Sequence, residues 1–275
     1  MRIFETIKPT NKLLEKYISY YYIDIADDYF NEYICYPHIN NTVSLYKSHT
    51  INYVVGNSII NFEKGGSPLQ IFTPLREKLL KVTQHGPVHK IGIVFKPFGI
   101  NQFLASEMEM NKIVASPSFM FFEAKFLHLL FSENNLANIV PAMEEQLTKM
   151  LRPIENFYIE KALEILHNTA NETNIDKLAA TDLGISRKHL QRLFNKFLGT
   201  TPQKYKAIVR FRKLMNHQFN DEQQHNLTSL SHQAHYTDQS HFIKTCKQLT
   251  GLTPANFFKK GKIIGSEDTF WNFTG

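Results

Sequence analysis

Two stretches of this chain place cations and amides beside an apolar stripe at the same spacing. Ser186-Arg187-Lys188-His189-Leu190-Gln191-Arg192-Leu193-Phe194 leads to Gly199-Thr200-Thr201-Pro202, and Asp238-Gln239-Ser240-His241-Phe242-Ile243-Lys244 leads to Gly251-Leu252-Thr253-Pro254. Gly199 and Gly251 are 52 residues apart, as are His189/His241, Leu190/Phe242, Thr201/Thr253, Pro202/Pro254 and Tyr205/Phe257. A pattern repeated in register implies one small helical unit built twice. Its chemistry suits nucleic acid. Arg pairs twice with guanine O6/N7 and Gln with adenine N6/N7, and the remaining cations can meet phosphates. For any single residue, a surface helix with a salt-bridging Arg is the plainer alternative.

Helices must hold these groups. Asn174 can cap a short helix at Ile175-Asp176-Lys177-Leu178-Ala179-Ala180. Gly184 supplies the left-handed backbone that ends it, Ile185 staples the turn, and Ser186 caps the next helix. There Leu190, Leu193, Phe194 and Phe197 point inward, while Arg187, Lys188, Gln191, Arg192 and Asn195 point outward. This is a helix-turn-helix, whose second helix enters the major groove. Thr201 and Pro202 open a further helix running to about Phe219, some 27 Å long at about 1.5 Å per residue, with Arg210, Arg212 and Lys213 along it. Such a rod can hold two reading units about one DNA turn apart. The second unit begins at Leu227, turns at His235-Tyr236-Thr237-Asp238, and sets Gln239, Ser240, Ile243, Lys244 and Lys247 outward, with Phe242, Leu249 and Cys246 inward.

Charge follows the same division. Residues 154–262 hold 16 Lys/Arg against 9 Asp/Glu, while residues 1–153 hold 15 against 14. A basic excess on the repeated units favours a phosphate-facing surface. The 275 residues can form two domains. Hydrophobic residues at 43% and charged residues at 20% fit an ordinary globular chain. No apolar run is long enough to span a membrane, and Met1-Arg2-Ile3-Phe4-Glu5 lacks the features of a secretory signal. With only Cys35 and Cys246, in separate predicted domains, a reducing cytoplasm is the expected compartment.

Before the repeat, residues 1 to about 110 are rich in short runs of strand-forming type. These are Tyr33-Ile34-Cys35-Tyr36, Thr42-Val43-Ser44-Leu45-Tyr46, Ile51-Asn52-Tyr53-Val54-Val55, Leu79-Leu80-Lys81-Val82-Thr83 and Ile91-Gly92-Ile93-Val94-Phe95. They predict a small barrel or sandwich. Lys12 to Tyr22 fits a helix running into a strand, or a strand alone. Helical spacing predicts helices at Ile100 to Glu107, Ser118 to Phe131 and Leu136 to Leu151, with a boundary at Leu151-Arg152-Pro153 and a new helix from Ile154. The division is therefore 1–150, a β-rich domain with trailing helices for sensing or dimerisation; 154–262, an all-α DNA-binding domain; and a tail at 263–275, docked or frayed. The fold class is α+β, multidomain.

Other constellations are weaker. His85/His89 and His232/His235 are the histidine pairs, and neither has the Cys or Asp neighbours of a four-ligand metal site. Tyr20, Tyr21, Tyr22, Tyr33, Tyr36, Tyr46 and Tyr53 could line an aromatic ligand pocket, although core packing is the plainer account. No nucleophile elbow, phosphate-binding glycine loop or CxxC occurs. No catalytic residue, metal ligand or cofactor is expected, and the chain is not expected to be an enzyme.

Ala234-His235-Tyr236-Thr237-Asp238-Gln239-Ser240-His241-Phe242-Ile243-Lys244, with Leu249-Thr250-Gly251-Leu252-Thr253-Pro254 and the earlier Ile185-to-Phe194 stretch, resembles the AraC/XylS family of bacterial transcription regulators across about residues 155–262. The resemblance implies a two-headed DNA-binding domain whose base-facing positions are Lys188, Gln191 and Arg192 in the first head and Gln239, Ser240, Ile243 and Lys244 in the second. Double-stranded DNA is the implied partner. RNA polymerase, a small-molecule effector and a second copy of the chain are further candidates, and no membrane is involved. Departures are His235 where the family usually has glycine, Cys246 where an aromatic is usual, and a helix before Gly184 that is one residue longer than the family pattern. Tyr36-Pro37-His38 and Gly92-Ile93-Val94-Phe95-Lys96-Pro97-Phe98-Gly99 resemble the β-rich domain of some family members. The competing accounts are a small-molecule-binding or enzymatic β-barrel regulated by an appended helical domain, and a protein–protein module that has lost DNA binding.

Overall fold

The computed structural model describes residues 2–27, 30–169, 173–220, 239–260, 262–264 and 269–273. Two six-stranded sheets form its β-rich part. The first has the order β1 (Arg2–Ile7), β2 (Ile18–Ala26), β9 (Val88–Phe95), β4 (Asn41–Tyr46), β7 (Leu69–Thr73), β10 (Val114–Ala115). The second runs β11 (Lys262–Ile264), β12 (Thr269–Phe273), β3 (Phe30–Cys35), β8 (Leu80–His85), β6 (Asn57–Phe62), β5 (His49–Val54). The described pairings are antiparallel except β6 with β8. The predicted runs at Tyr33, Thr42, Ile51, Leu79 and Ile91 all fall on strands. Around Lys12 to Tyr22 only a 3₁₀ turn, Leu14–Lys16, precedes β2.

The first sheet is covered on both sides, so its central strand β9 is buried at all eight positions rather than at alternate ones. On β2, alternation sorts the tyrosine run. Tyr20 and Tyr22 point between the sheets, while Tyr21 joins Ile23, Val43, Phe72, Ile91 and Ile93 on the face covered by α1 (Ala124–Leu130) and α2 (Leu136–Met150). Glu144 of α2 is buried there and accepts from the Thr10 amide (2.8 Å), the Asn11 amide (3.1 Å) and the Tyr21 hydroxyl (3.4 Å). Burial, reinforced by this carboxylate, pushes the Tyr21 phenol well above its ordinary range.

Three helix predictions shift for local reasons. Ile100 to Glu107 forms only a 3₁₀ turn, Ile100–Gln102. Gln102 instead takes up amides from the 152–154 segment: its carbonyl accepts from Arg152 (2.7 Å) and its side chain from Ile154 (2.6 Å). The helix expected from Ser118 starts at Ala124, because the buried Gln70 side chain accepts from the amides of Phe121 (3.0 Å) and Phe122 (2.8 Å). The helix expected from Ile154 is α3, Phe157–Thr169. Asn156 caps it by accepting from the Ile159 amide (3.1 Å), and Glu160 reaches back to the Asn156 amide (3.0 Å).

Candidate nucleic-acid interface

The first unit is built as its caps dictate. Asn174 accepts from the amides of Asp176 (2.8 Å) and Lys177 (3.2 Å), starting α4 (Ile175–Lys177). The chain then widens into a π-turn at Leu178–Asp182, closed by the Leu183 amide on the Leu178 carbonyl (3.1 Å). The extra residue before Gly184 is absorbed in this wider turn. Gly184 takes φ +65°, and the Ile185 amide returns to the Ala179 carbonyl (2.9 Å). Ser186 accepts from the His189 amide (3.1 Å) and opens α5, Arg187–Leu198. Leu190, Leu193, Phe194 and Leu198 are buried against α3 and α6 (Pro202–Asn220), where Tyr205 meets Phe194 edge to face and stands 2.6 Å from His167 Nε2.

The opposite face of α5 is open. Arg187, Lys188, Gln191, Arg192 and Asn195 are exposed. Arg187 pairs with Asp176 at 3.0 Å, and Arg192 Nη2 lies 3.2 Å from His189 Nδ1. Further along, Arg210 is half-buried on α6. Lys213 donates to the Asn168 carbonyl at 3.2 Å, and partial burial pulls its ammonium below the usual lysine range. Arg212 is buried.

The second unit repeats the hydrogen bonds of the first at the 52-residue offset. The Gly199 amide meets the Asn195 carbonyl at 3.2 Å, and the Gly251 amide meets the Lys247 carbonyl at 2.9 Å. Tyr205 N to Thr201 O is 2.9 Å, and Phe257 N to Thr253 O is 2.8 Å. These bonds join α7 (Gln239–Thr250) to α8 (Pro254–Lys260). Lys244 and Lys247 are exposed and Ile243 is half-buried. Gln239 and Ser240 open α7, and their side chains are outside the description. The predicted turn at His235 to Asp238 and the helix from Leu227 also lie outside the described residues. Cys246 is fully buried, which pushes its thiol up to about 11.

Both units pack on the β-rich part. Phe197 meets Phe98 at 5.2 Å, Glu77 takes Lys204 (2.7 Å) and the Thr200 hydroxyl (2.6 Å), and Lys196 pairs with Glu107 (2.5 Å). In the second unit, Phe211, Cys246, Leu249 and Phe257 form one cluster with Tyr36, Ile34 and Leu79, the Tyr36 and Phe257 rings crossing at 4.7 Å. Sequence reasoning missed this docking. A small Cys246 in place of an aromatic was the one local sign of it.

Between the sheets, Tyr20, Tyr22, Tyr33, Tyr36 and Tyr46 line a cavity of about 80 Å³ together with Arg76, Lys90 and Arg212. The Lys90 ammonium sits over the rings of Tyr22 (5.1 Å) and Tyr46 (5.2 Å). Tyr53 stands exposed on β5, away from them. His85 is exposed on β8 and His89 is buried on β9, and among the described residues no group of three metal-ligating side chains converges.

Residues 179–260 match the family model described as a helix-turn-helix domain. This region is a helix-turn-helix domain. ToxT from Vibrio cholerae shares the fold along almost the whole length: 10% identity, 94% of this chain, 97% of that one, TM-score 0.50. An AraC-type transcriptional regulator from Chromobacterium violaceum aligns at 23% identity over 36% of this chain and 87% of its own, with a TM-score of 0.32. No curated protein matches in sequence. A helix-turn-helix is a DNA-binding fold, and no described helix is long and apolar enough to cross a membrane.

Proposed function

We propose that the AraC-type domain reads DNA with two helices, α5 and α7, placed in adjacent major grooves. One observation carries this reading: two units share the same hydrogen-bond frame, and each leaves the cations of its second helix exposed while burying the apolar face. In the first unit Lys188, Gln191 and Arg192 face bases, Arg187 and Asn195 flank them, and Ser186 offers its helix N-terminus to a phosphate. In the second, Gln239, Ser240, Ile243 and Lys244 face bases and Lys247 meets the backbone. Arg210 and Lys213 add phosphate contacts from α6. Residues 1–150 act as sensor or dimerisation domain and residues 154–262 as the reading domain, in the cytoplasm, with RNA polymerase and a second copy of the chain as further partners. The cavity suits a compact anionic effector, because three cationic side chains line it and it is roomy enough for several waters.

Footprinting of the purified protein on genomic DNA tests this. Two protected segments about 10 base pairs apart, centre to centre, are expected. A single protected segment, or shifts that do not weaken with salt, would refute two-groove binding.

A further inference from the structure

The last strand of the chain does more than finish a sheet. β12 pairs antiparallel with β3, Trp271 opposite Cys35, Asn272 opposite Ile34 and Phe273 opposite Tyr33, and β11 closes the hairpin from outside. β3 is thus bordered by β8 on one edge and by the C-terminal strand on the other. Its side chains divide as well. Tyr33 and Cys35 line the cavity between the sheets, while Ile34 packs into the core of the second reading unit, and Tyr36, just beyond the strand, touches both. One strand therefore touches the cavity with one face and the second unit with the other, and it holds the chain end that leaves that unit along its edge. The main-chain ladder is the kind of bond by which added strands dock on sheet edges.

We propose that β12 is a latch that fixes the second unit to the β-rich domain through β3 and so preorganises it for DNA. The sign follows from exposure. In the latched arrangement Lys244 and Lys247 of the second unit, and Lys188, Gln191 and Arg192 of the first, are all open to solvent. Among the described side chains, the latch covers none of these cations or Gln191. It removes freedom that binding would otherwise have to remove. This inference rests on the DNA-reading function proposed above.

The test uses the full chain with Asn272→Pro, which takes a donor out of the strand, and Asn272→Val, which keeps the strand. A chain ending at Gly261 repeats the comparison if the proline disturbs more than the ladder. Probes are a duplex from the wild-type footprint and the same duplex with the half-site of the second unit scrambled. With Asn272→Pro, amide hydrogen exchange should quicken at least about tenfold at residues 33–35 and in α7 but not in α5. Affinity for the intact duplex should fall about three- to tenfold, with none lost on the scrambled one. Asn272→Val should behave as wild type. Intact-duplex affinity that is unchanged or raised overturns the proposal, as does quickened exchange in β3 without any in α7. A wild-type chain that shifts no DNA refutes the regulator function instead, and the exchange result still decides whether the latch ties β3 to the second unit.

Discussion

Three glycines with left-handed backbone separate the cost of conformation from the cost of docking. Gly184, Gly199 and Gly251 have φ of +65°, +68° and +71°. Alanine at any of them pays for a left-handed backbone, about 1–2 kcal/mol. Their surroundings differ. A Cβ at Gly184 meets nothing within 4 Å, and one at Gly251 would lie 3.5 Å from Leu79 Cδ1, an ordinary contact. At Gly199 it would stand 2.3 Å from the Met110 carbonyl oxygen and 2.7 Å from the Asn111 amide nitrogen, both main chain of the β-rich part. Relief there requires the first unit and the 110–111 segment to separate, and overpacking of this kind costs about 1–3 kcal/mol more. Gly199→Ala should therefore lose about 2–5 kcal/mol, and the other two variants about 1–2 each. At about 2–4 °C per kcal/mol for a chain of this class, the melting midpoint should drop by about 4–20 °C in Gly199→Ala and by about 2–8 °C in the others. Amide exchange at residues 108–112 should quicken only in Gly199→Ala. Equal midpoints for the three variants, with no exchange difference at 108–112, would mean that the first unit does not rest on Met110 in solution.

Other perturbations follow the same logic. Arg192→Ala should cost about 1–3 kcal/mol on the specific site and relax base preference at one position; equal losses on specific and random duplexes would remove Arg192 from base reading. Glu144→Ala strands the Thr10 and Asn11 amides and should lower stability by about 1–3 kcal/mol in urea titration, and a loss below about 0.5 would discount the buried carboxylate. His49 and His89 are buried, which lowers both imidazoles to about 4. Between about pH 6.5 and 4 the unfolded chain then binds more protons than the folded one. Stability should fall as pH drops through that window, on the order of 1–2 kcal/mol per ring by pH 5, and level off below it. A His89→Gln variant should show a shallower fall, and an unchanged slope would exclude this histidine as a cause.

The reading units were legible because their determinants are local. Asn174, Gly184, Ser186, Gly199 and Thr201 each set one cap or turn, and each acts on residues within a few positions. The β-rich half was legible only where strand-forming residues cluster. Leu69-Gln70-Ile71-Phe72-Thr73 reads as no particular element, yet Gln70 is fully buried there and its side chain decides where α1 can start. That role depends on a partner about fifty residues away, which spacing cannot show. Asn156 and Glu160 did carry a readable signal for the start of α3. The run Thr269 to Phe273 is rich in strand formers, but its partner is the edge of β3, more than two hundred residues earlier. The placement of Tyr21 opposite to Tyr20 and Tyr22 follows from strand alternation once β2 is known, and could not be had from a helix-or-strand ambiguity over Lys12 to Tyr22.

The second unit fills its interior with Tyr36, Ile34 and Leu79, side chains it does not itself encode. The first unit likewise draws Leu75 and Phe98 into its core, so cutting the chain near residue 154 would open a socket in each reader, beside Phe197 in one and beside Phe257 in the other. Chimaeras that join this domain to a foreign sensor would need to import strand β3 and the Leu79 turn along with it, or refill the socket with a bulkier side chain at Cys246. Modularity in this molecule is therefore limited: neither the Arg192 half nor the Lys244 half travels without side chains of its host.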